Sequence, residues 1–358
     1  MKSKAGYMYE HKEGAFTAFA HDENMDTFYC ITDDDGLLIK LDGKGNAEYV
    51  CAYQGREHLV DFMAYSSVFY DNKCFFFSFD GKSFIVYDIK NNSIRKKMLC
   101  SNTHLLDDGL AVMGSVLFND VIYVFMRHNG NIIKINARDE EVVDIVSMGS
   151  QKDMTCFCCS EQKGYCLFDN SNIVAVYDFS NQSINKYDIG ITLNGVDSAF
   201  VENNIYYLLY ESGEVIVIDS FSTLARYRVE GSFSKIIKAG DIIWLFPKYG
   251  DEICFIRNGI QYVFDKYDDK YCYYATKKWF SIGYKFYSCI SNKRYYIFPV
   301  RKSNMMIFID KYSGELSMMS VLLKPHPSKI KVLLDMGAII YENNRECSLE
   351  SFMRQALA

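Results

Sequence analysis

The sequence lacks any apolar run close to the roughly 18 residues that a membrane-spanning helix requires, and its N-terminus lacks the apolar stretch of a secretory signal. We therefore expect a cytoplasmic chain with no membrane partner. It also lacks a basic stripe, because 39 basic and 45 acidic residues are scattered along the chain and give a net charge of −6. Affinity for nucleic acid depends on clustered positive charge, so no nucleic-acid partner is expected.

The composition is unlike that of a disordered or collagen-like chain. Charged residues make up 23% and hydrophobic residues 49% of the 358 positions, which predicts a large buried core. The chain has 12 cysteines, and such a number of thiols favours a reducing compartment. Cys156, Cys158 and Cys159 have a C-x-C-C spacing rather than the paired C-x-x-C of zinc sites, and in a strand Cys159 points away from the other two. We interpret them as small buried hydrophobic residues and expect no metal.

Motifs of phosphate-loop, dinucleotide-binding and esterase sites are absent from the sequence. The 6 histidines never occur at the spacing of a zinc protease. The run from Asp33 to Gly36 lacks the alternating acidic positions of a calcium loop, and a hairpin turn explains it equally well. No cofactor is therefore expected.

A β-rich unit can be aligned seven times along the chain. Each copy has a strand, a turn containing Gly or Asn, a short strand ending at a mostly acidic residue, and a polar turn before another strand. That end position is held by Asp42, Asp88, Asn136, Asp178, Asp219, Arg257 and Asp310. The average spacing is about 45 residues, the length of a four-stranded propeller blade.

Each part of the unit has a mechanical reason. Gly or Asn takes the positive φ that a tight hairpin demands, and an Asp or Asn side chain accepts hydrogen bonds from N–H groups of the following turn. Strands rich in Ile, Val, Phe and Tyr indicate sheets that are covered on both faces. With 4 prolines and almost no helical periodicity, a helical solenoid is disfavoured. The sequence therefore predicts an all-β, seven-bladed β-propeller, with eight blades as the alternative.

We expect one domain over residues 1–358, with a closing segment and a short helix at 324–358. Ring closure is expected to bring terminal strands at 5–10 and 329–344 into one blade, and Ser348 is the predicted N-cap of the helix. The repeats are predicted at 15–53, 63–100, 110–147, 153–189, 195–230, 231–266 and 286–322.

The aromatic segment 266–286 interrupts the repeat. One interpretation is a platform on which sugar rings stack or a protein partner is anchored. The other is a strand pair that extends the blade, with alternate aromatic side chains packed inward. The sequence does not decide between them.

Units such as GEVIVIDSFSTLARYRV, SFIVYDIKNNSIRKKM and AGDIIWLFPKYGDEI carry a family resemblance. Over residues 15–345 the chain resembles bacterial kelch-like and YncE-like β-propeller proteins, particularly a large uncharacterised group from anaerobic Firmicutes. It departs from named subfamilies, since it has no paired-glycine kelch signature, no Trp-Asp blade ending and no tryptophan series of the quinone-binding type. The resemblance implies a propeller whose relatives mostly bind proteins or glycans, and the fold alone does not settle which.

Loops between second and third strands, and loops between blades, gather on one face of a propeller around its central channel. Basic and acidic groups there can orient a polar or anionic ligand through charge-assisted hydrogen bonds. His58, and His104 beside Asp107 and Asp108, are the acid–base candidates in loops of otherwise ordinary composition. The candidate ligand-binding residues are Arg56, His58, Arg127, His128, Tyr210, Lys248, Tyr249, Arg301 and Lys302.

These observations predict a non-enzymatic propeller scaffold that binds a protein, a glycan or another polar ligand on this loop face. A carbohydrate-active or other small-molecule enzyme that uses the same face is the alternative. A self-associating structural module is a third possibility, because the aromatic segment 266–286 is suited to covering a neighbour's surface. The oligomeric state is left open by the sequence.

Overall fold

Seven small antiparallel sheets follow one another along the chain. The computed structural model describes residues 16–32, 38–44, 46–51, 64–99, 112–127, 130–149, 153–160, 162–219, 222–248, 252–264, 289–299, 305–320, 340–342 and 345–347. Within these ranges each of the seven sheets has four strands in sequence order, an eighth sheet has two, and the described residues contain no helix. The seven-bladed β-propeller predicted from the repeat is confirmed.

In each of the first four blades, the first strand in the chain lies next to the channel and the following strands lie successively farther out. Blade one contains β1 Phe16–Asp22, β2 Thr27–Thr32, β3 Leu38–Asp42 and β4 Ala47–Cys51, and blade two contains β5 Ala64–Tyr70, β6 Lys73–Ser78, β7 Ser83–Asp88 and β8 Ser93–Met98. Blade three contains β9 Val112–Phe118, β10 Val121–Met126, β11 Asn131–Asn136 and β12 Glu141–Ser147, and blade four contains β13 Met154–Ser160, β14 Lys163–Phe168, β15 Ile173–Asp178 and β16 Ser183–Asp188.

The remaining three blades repeat this order. Blade five contains β17 Val196–Glu202, β18 Ile205–Tyr210, β19 Glu214–Asp219 and β20 Ser222–Arg228, and blade six contains β21 Phe233–Ala239, β22 Ile242–Pro247, β23 Cys254–Arg257 and β24 Ile260–Val263. Blade seven contains β25 Ile290–Ser291, β26 Tyr295–Pro299, β27 Met305–Asp310 and β28 Leu316–Ser320. The hairpin of β29 Ile340–Glu342 and β30 Arg345–Cys347 is a separate sheet.

Acidic or amide residues at the ends of third strands fix the following turn, as the sequence predicts. Asp42 Oδ1 accepts hydrogen bonds from the N–H groups of Lys44 (2.9 Å) and Asn46 (2.8 Å). Asp310 Oδ1 does the same for the two N–H groups that follow at Tyr312 and Ser313, both at 3.0 Å. The same arrangement recurs at Asp88, Asn136 and Asp178.

Blade six closes this turn differently. Arg257 pairs directly with Ile260, and the two residues between them, Asn258 and Gly259, have φ of 52° and 77°. Positive φ at both central residues makes a type I′ turn, which matches the twist of the flanking strands. The Arg257 Nε instead donates to Asp241 Oδ2 at 2.8 Å, on the turn between the first and second strands of the same blade.

Neighbouring blades share buried clusters, so each sheet covers the next. The third strand of blade two is buried along its whole length, whereas the outer strand of blade three is mostly exposed. The clusters join blades one and two around Tyr29 and Phe76, two and three around Phe75 and Val124, three and four around Phe125 and Tyr177, four and five around Leu167 and Leu208, and five to seven around Leu209, Leu245 and Phe298.

The ring closes by packing of blade seven on blade one. Phe19, Cys30 and Ile39 of blade one lie in one buried cluster with Ile297 and Met306 of blade seven. Every described four-stranded sheet uses four consecutive strands. The expectation that terminal strands at 5–10 and 329–344 share a blade concerns segments that lie mostly outside the described residues, and it stays a prediction. Segments 5–10 and 329–339, the predicted helix after Ser348 and the aromatic segment 266–286 lie outside the described residues.

The innermost strands share a β-bulge close to their first residue. In the first strands of blades one to six the pairing register skips one position, at Thr17, Tyr65, Met113, Thr155, Asp197 and Ser234. The next residue is small in five of these blades, namely Ala18, Ser66, Gly114, Cys156 and Ser198. In blade six that position holds Lys235.

Candidate functional site

The loop face is defined here as the face on which second strands end and first strands begin, and the sequence predicts the site residues there. The structure describes three of them: Arg127 in blade three, Tyr210 in blade five and Lys248 in blade six. The predicted residues Arg56, His58, His128, Tyr249, Arg301 and Lys302, together with His104, lie outside the described residues.

Lys248 is the centre of a charged cluster that joins blades five and six. Its Nζ lies 3.0 Å from Asp197 Oδ2 and 3.8 Å from Glu211 Oε1. The Lys248 and Asp197 side chains are only 16% and 9% exposed, whereas Glu211 is 64% exposed. The cluster therefore has a fixed inner pair and an outer carboxylate in contact with solvent.

The bulge of the inner strand places Asp197 in this cluster. A bulge turns the extra residue out of the regular alternation of a strand, and bulges are common beside functional sites. Burial raises the pKa of the Asp197 carboxyl, Lys248 opposes that rise, and the nearby Glu211 adds to it. Asp197 is the acidic residue among the six bulged residues. Blade five therefore places a carboxylate on the loop face where the other five blades with this bulge have an uncharged residue.

The other two described candidates, Tyr210 and Arg127, also have partners within this chain. The Tyr210 hydroxyl donates to the backbone oxygen of Thr192 at 2.8 Å, and burial raises the pKa of Tyr210 to about 12. The Arg127 Nε lies 3.9 Å from Asp153 Oδ2, at the start of blade four. The structure thus brings Lys248 and Tyr210 to adjoining parts of blades five and six, while Arg127 joins blades three and four.

Small polar side chains connect the inner strands around the central channel. Ser66 and Ser115 are 2.7 Å apart through their Oγ atoms, the Ser67 Oγ donates to the backbone oxygen of Phe19, and the Ser198 Oγ accepts from the N–H of Ile236 at 3.3 Å. Inner strands leave one backbone edge unpaired, and such groups need partners when buried. Ser67 and Ser198 supply such partners, and Ser66 and Ser115 link two blades through their side chains. This role was not predicted from the sequence, although Ser and Ala recur there.

The channel encloses a cavity of about 540 Å³ that is lined by residues from all seven blades. Its wall combines hydroxyl and thiol groups with apolar side chains such as Val68 and Phe200. Lys235 is among the lining residues. A cavity of this size and mixed lining suits a small ligand.

A second groove of about 630 Å³ lies on the opposite face, where blades one and seven meet. His21 lies in its wall with a side chain only 5% exposed, and its ring stacks on Phe28 with centroids 4.2 Å apart. Its Nε2 is 3.5 Å from Asp26 Oδ1. Burial lowers the pKa of His21, which Asp26 opposes. This histidine was not predicted from the sequence, where the candidate histidines were those in loops of the other face.

The described residues hold neither a cluster of metal ligands nor a membrane-spanning helix. Among them, no group of three or more His, Cys, Asp or Glu side chains is arranged to hold a metal ion. The same part of the chain contains no helix of the length and hydrophobicity needed to span a bilayer.

No family model and no curated protein matches the chain. Solved structures do match it. PorZ, a surface component of the type-IX secretion system of Porphyromonas gingivalis, aligns with a TM-score of 0.57 at 8% identity over 87% of this chain and 39% of PorZ. A catalytically inactive virginiamycin B lyase from Staphylococcus aureus with quinupristin aligns with a TM-score of 0.57 at 10% identity over 82% of this chain and 94% of the lyase. YCF48 bound to a D1 peptide aligns with a TM-score of 0.57 at 9% identity over 87% of this chain and 95% of YCF48.

These similarities establish the propeller fold. At such low identity they carry no residue roles to this chain, and the matched proteins include both a peptide-bound protein and a lyase. This chain spans well under half of PorZ, at 39% of its length. A propeller is a scaffold on which unrelated functions occur, so function has to be argued from the site.

Proposed function

We propose that this chain is a binding propeller that takes a protein segment on its loop face at blades five and six. The observation that carries the proposal is the Lys248 cluster, in which a mostly buried Asp197–Lys248 pair supports the exposed carboxylate of Glu211. YCF48, whose fold is similar to that of this chain, has a solved structure with a bound D1 peptide.

The energetics of the cluster support recognition rather than stability as its role. A buried ion pair adds little net stability, because the cost of removing two charges from water offsets their attraction. Its fixed geometry does favour partners with complementary charge and disfavours others. The exposed carboxylate of Glu211 lies 3.8 Å from Lys248 Nζ, beside the buried pair, where a basic group of a partner can pair with it.

The test changes the exposed charge of the cluster and leaves the buried pair intact. We expect the variant Glu211→Lys to lose at least one protein that the wild-type chain captures from its native extract, measured by quantitative mass spectrometry. Lys293→Glu, at an exposed turn on the opposite face, is the matched control and should keep that protein. The captured protein is then purified and titrated against all three chains.

Each result bears on the proposal. A captured protein that binds wild type and Lys293→Glu alike, but binds Glu211→Lys at least tenfold more weakly, supports it. An unchanged set of captured proteins with Glu211→Lys contradicts it. Selective loss of a glycan rather than a protein would favour the other partner class expected from the sequence.

We further propose that the chain is a kelch-like or YncE-like bacterial protein that works in a reducing cytoplasm. The thiols of Cys30, Cys74 and Cys166 support the compartment, since burial raises the pKa of each well above its usual range and each packs as a small apolar residue. Fractionation of the native cells tests it, and recovery of the protein outside the cytoplasm would contradict it.

A further inference from the structure

Lys235 breaks the pattern of the innermost strands. The five equivalent positions in blades one to five hold Ala, Ser, Gly, Cys and Ser, so the ring packs there with small side chains. A lysine at this position is therefore not needed to build a blade. Its side chain is half-buried and lines the cavity in the central channel.

The Lys235 ammonium group has no hydrogen-bond or ion-pair partner among the described residues. Its neighbours there are thiols: burial raises the pKa of Cys289 to about 11 and that of Cys156 to about 12, and the positive charge of Lys235 opposes both increases. By contrast, Lys311 of blade seven donates to Ser291 Oγ at 2.6 Å and lies over the Tyr296 ring at 4.7 Å. Lys235 thus differs from Lys311, which has partners on the cavity wall at Ser291 and Tyr296.

Holding a half-buried cation without a partner costs free energy, because the charge has lost part of its water and gained no anion. An anion that enters the channel would supply the missing partner. The described acidic residue in the cavity wall is Glu23, which follows the last residue of β1, whereas Lys235 lies near the first residue of β21. All inner strands run in the same direction, so these two charges lie towards opposite ends of the channel.

The surroundings of Lys235 define the rest of the ligand. The cavity wall includes the apolar side chains of Val68, Leu117, Phe200 and Ile237. Its volume of about 540 Å³ accommodates a small organic molecule. A free inorganic ion would leave this apolar surface uncovered.

We propose that the central channel binds an organic anion, a molecule with one carboxylate, sulfonate or phosphate group on an apolar body, and that Lys235 holds the anionic group. This site is independent of the proposed protein-binding function, because it lies inside the channel and uses none of the exposed charges of the loop face.

The experiment compares two probes that differ by one charged group. The first is 8-anilino-1-naphthalenesulfonate, and the second is N-phenyl-1-naphthylamine, which has the same rings without the sulfonate. Both are titrated into the folded protein and followed by fluorescence, with calorimetry to count the sites. The chains are wild type, Lys235→Ser, Lys235→Arg and Lys238→Ser.

The variants are chosen so that folding does not obscure the result. Serine already occupies the equivalent position in blades two and five, at Ser66 and Ser198, so Lys235→Ser should fold. Lys238→Ser makes the same charge change three residues further along the same strand, outside the cavity wall. Thermal melting of each chain confirms that it is folded before titration.

We expect one saturable sulfonate site in the wild type and a loss of affinity of about tenfold or more in Lys235→Ser, as befits a charge-assisted hydrogen bond. Lys235→Arg and Lys238→Ser should bind the sulfonate as the wild type does, and the uncharged amine should not respond to Lys235→Ser. The proposal is overturned if wild type shows no saturable sulfonate binding, if Lys235→Ser binds the sulfonate unchanged, or if it weakens both probes equally. Loss of the captured protein without loss of the sulfonate site would separate the two functions.

Discussion

Removing the charge of Glu140 should weaken the joint between blades two and three more than any exposed substitution nearby. Glu140 lies on the turn between the third and fourth strands of blade three, with a side chain 6% exposed. Three cations of blade two surround it: Arg95 Nη2 at 2.6 Å, Lys73 Nζ at 3.0 Å and Lys97 Nζ at 3.3 Å. The perturbation is Glu140→Gln, which keeps the shape and removes the charge.

The magnitude follows from the exposure of the partners. Arg95 makes two hydrogen bonds to the Glu140 carboxylate, because its Nε also donates to Oε2 at 3.2 Å. Hydrogen bonds to charged groups contribute about 1.5–3 kcal/mol. The two lysines remain partly in contact with water, so each adds less than about 1 kcal/mol. Because the amide oxygen introduced by Glu140→Gln would still accept weaker hydrogen bonds, we expect a loss of about 2–3 kcal/mol in the free energy of unfolding.

Urea unfolding of wild type, Glu140→Gln and the exposed neighbour Glu141→Gln measures this loss. The control should change stability by less than about 0.5 kcal/mol. A double-mutant cycle with Arg95→Met then gives the energy of the Arg95 pair separately from the lysines.

The pH dependence provides the second measurement. Burial alone would raise the pKa of the Glu140 carboxyl, but the hydrogen bonds from Arg95 and Lys73 outweigh burial and lower it below 4.5. A pKa that is lower in the folded state stabilises the protein above the unfolded value and ceases to do so as the pH falls through the folded value. The gap between wild type and Glu140→Gln should therefore shrink on acidification below 4.5. Equal midpoints for Glu140→Gln and Glu141→Gln at neutral pH, or a gap that persists in strong acid, would refute this account.

Three further substitutions have defined outcomes in the same urea assay. Burial lowers the pKa of His21 below 6.5, so the unfolded chain binds this proton more readily and stability falls as the pH drops through 6.5. His21→Phe retains the stack on Phe28 and should flatten that decline in stability. An unaltered pH profile of stability would contradict this reasoning. Gly164→Ala should destabilise the protein by about 1–3 kcal/mol, because a Cβ there lies 2.8 Å from the Phe125 ring; a neutral result would mean that the ring relaxes freely. Lys235→Ser should unfold at a higher urea concentration than wild type, because it removes a half-buried cation, and a lower midpoint would contradict that cost.

Much of the fold was predictable because blade formation is local. Four consecutive strands pair within about 45 residues, and the turn between third and fourth strands is fixed by one side chain a few residues away, as at Asp42 and Asp310. The exception at Arg257 was not recognised, although the Asn-Gly dipeptide after it is itself a signal of a two-residue turn.

The sites were less predictable, since they depend on contacts between blades. Lys248 was singled out from the sequence as a residue at the end of a second strand, but its partner Asp197 lies 51 positions away on another blade. The buried His21 beside Phe28 was not anticipated either. His21 lines a groove between blades one and seven, and these two blades are the first and the last of the ring along the chain.

The repeating unit and most of its turns could be read from the sequence, which also favoured seven blades over eight, because alternation of side chains and turn chemistry act over a few residues. The packing of blade seven on blade one, and the cavity that Lys235 lines together with residues of all seven blades, were visible only in the folded ring. The physical reason is that a position in the ring is set by packing between sheets, and repeats of similar sequence do not specify which side chain then meets which across the channel.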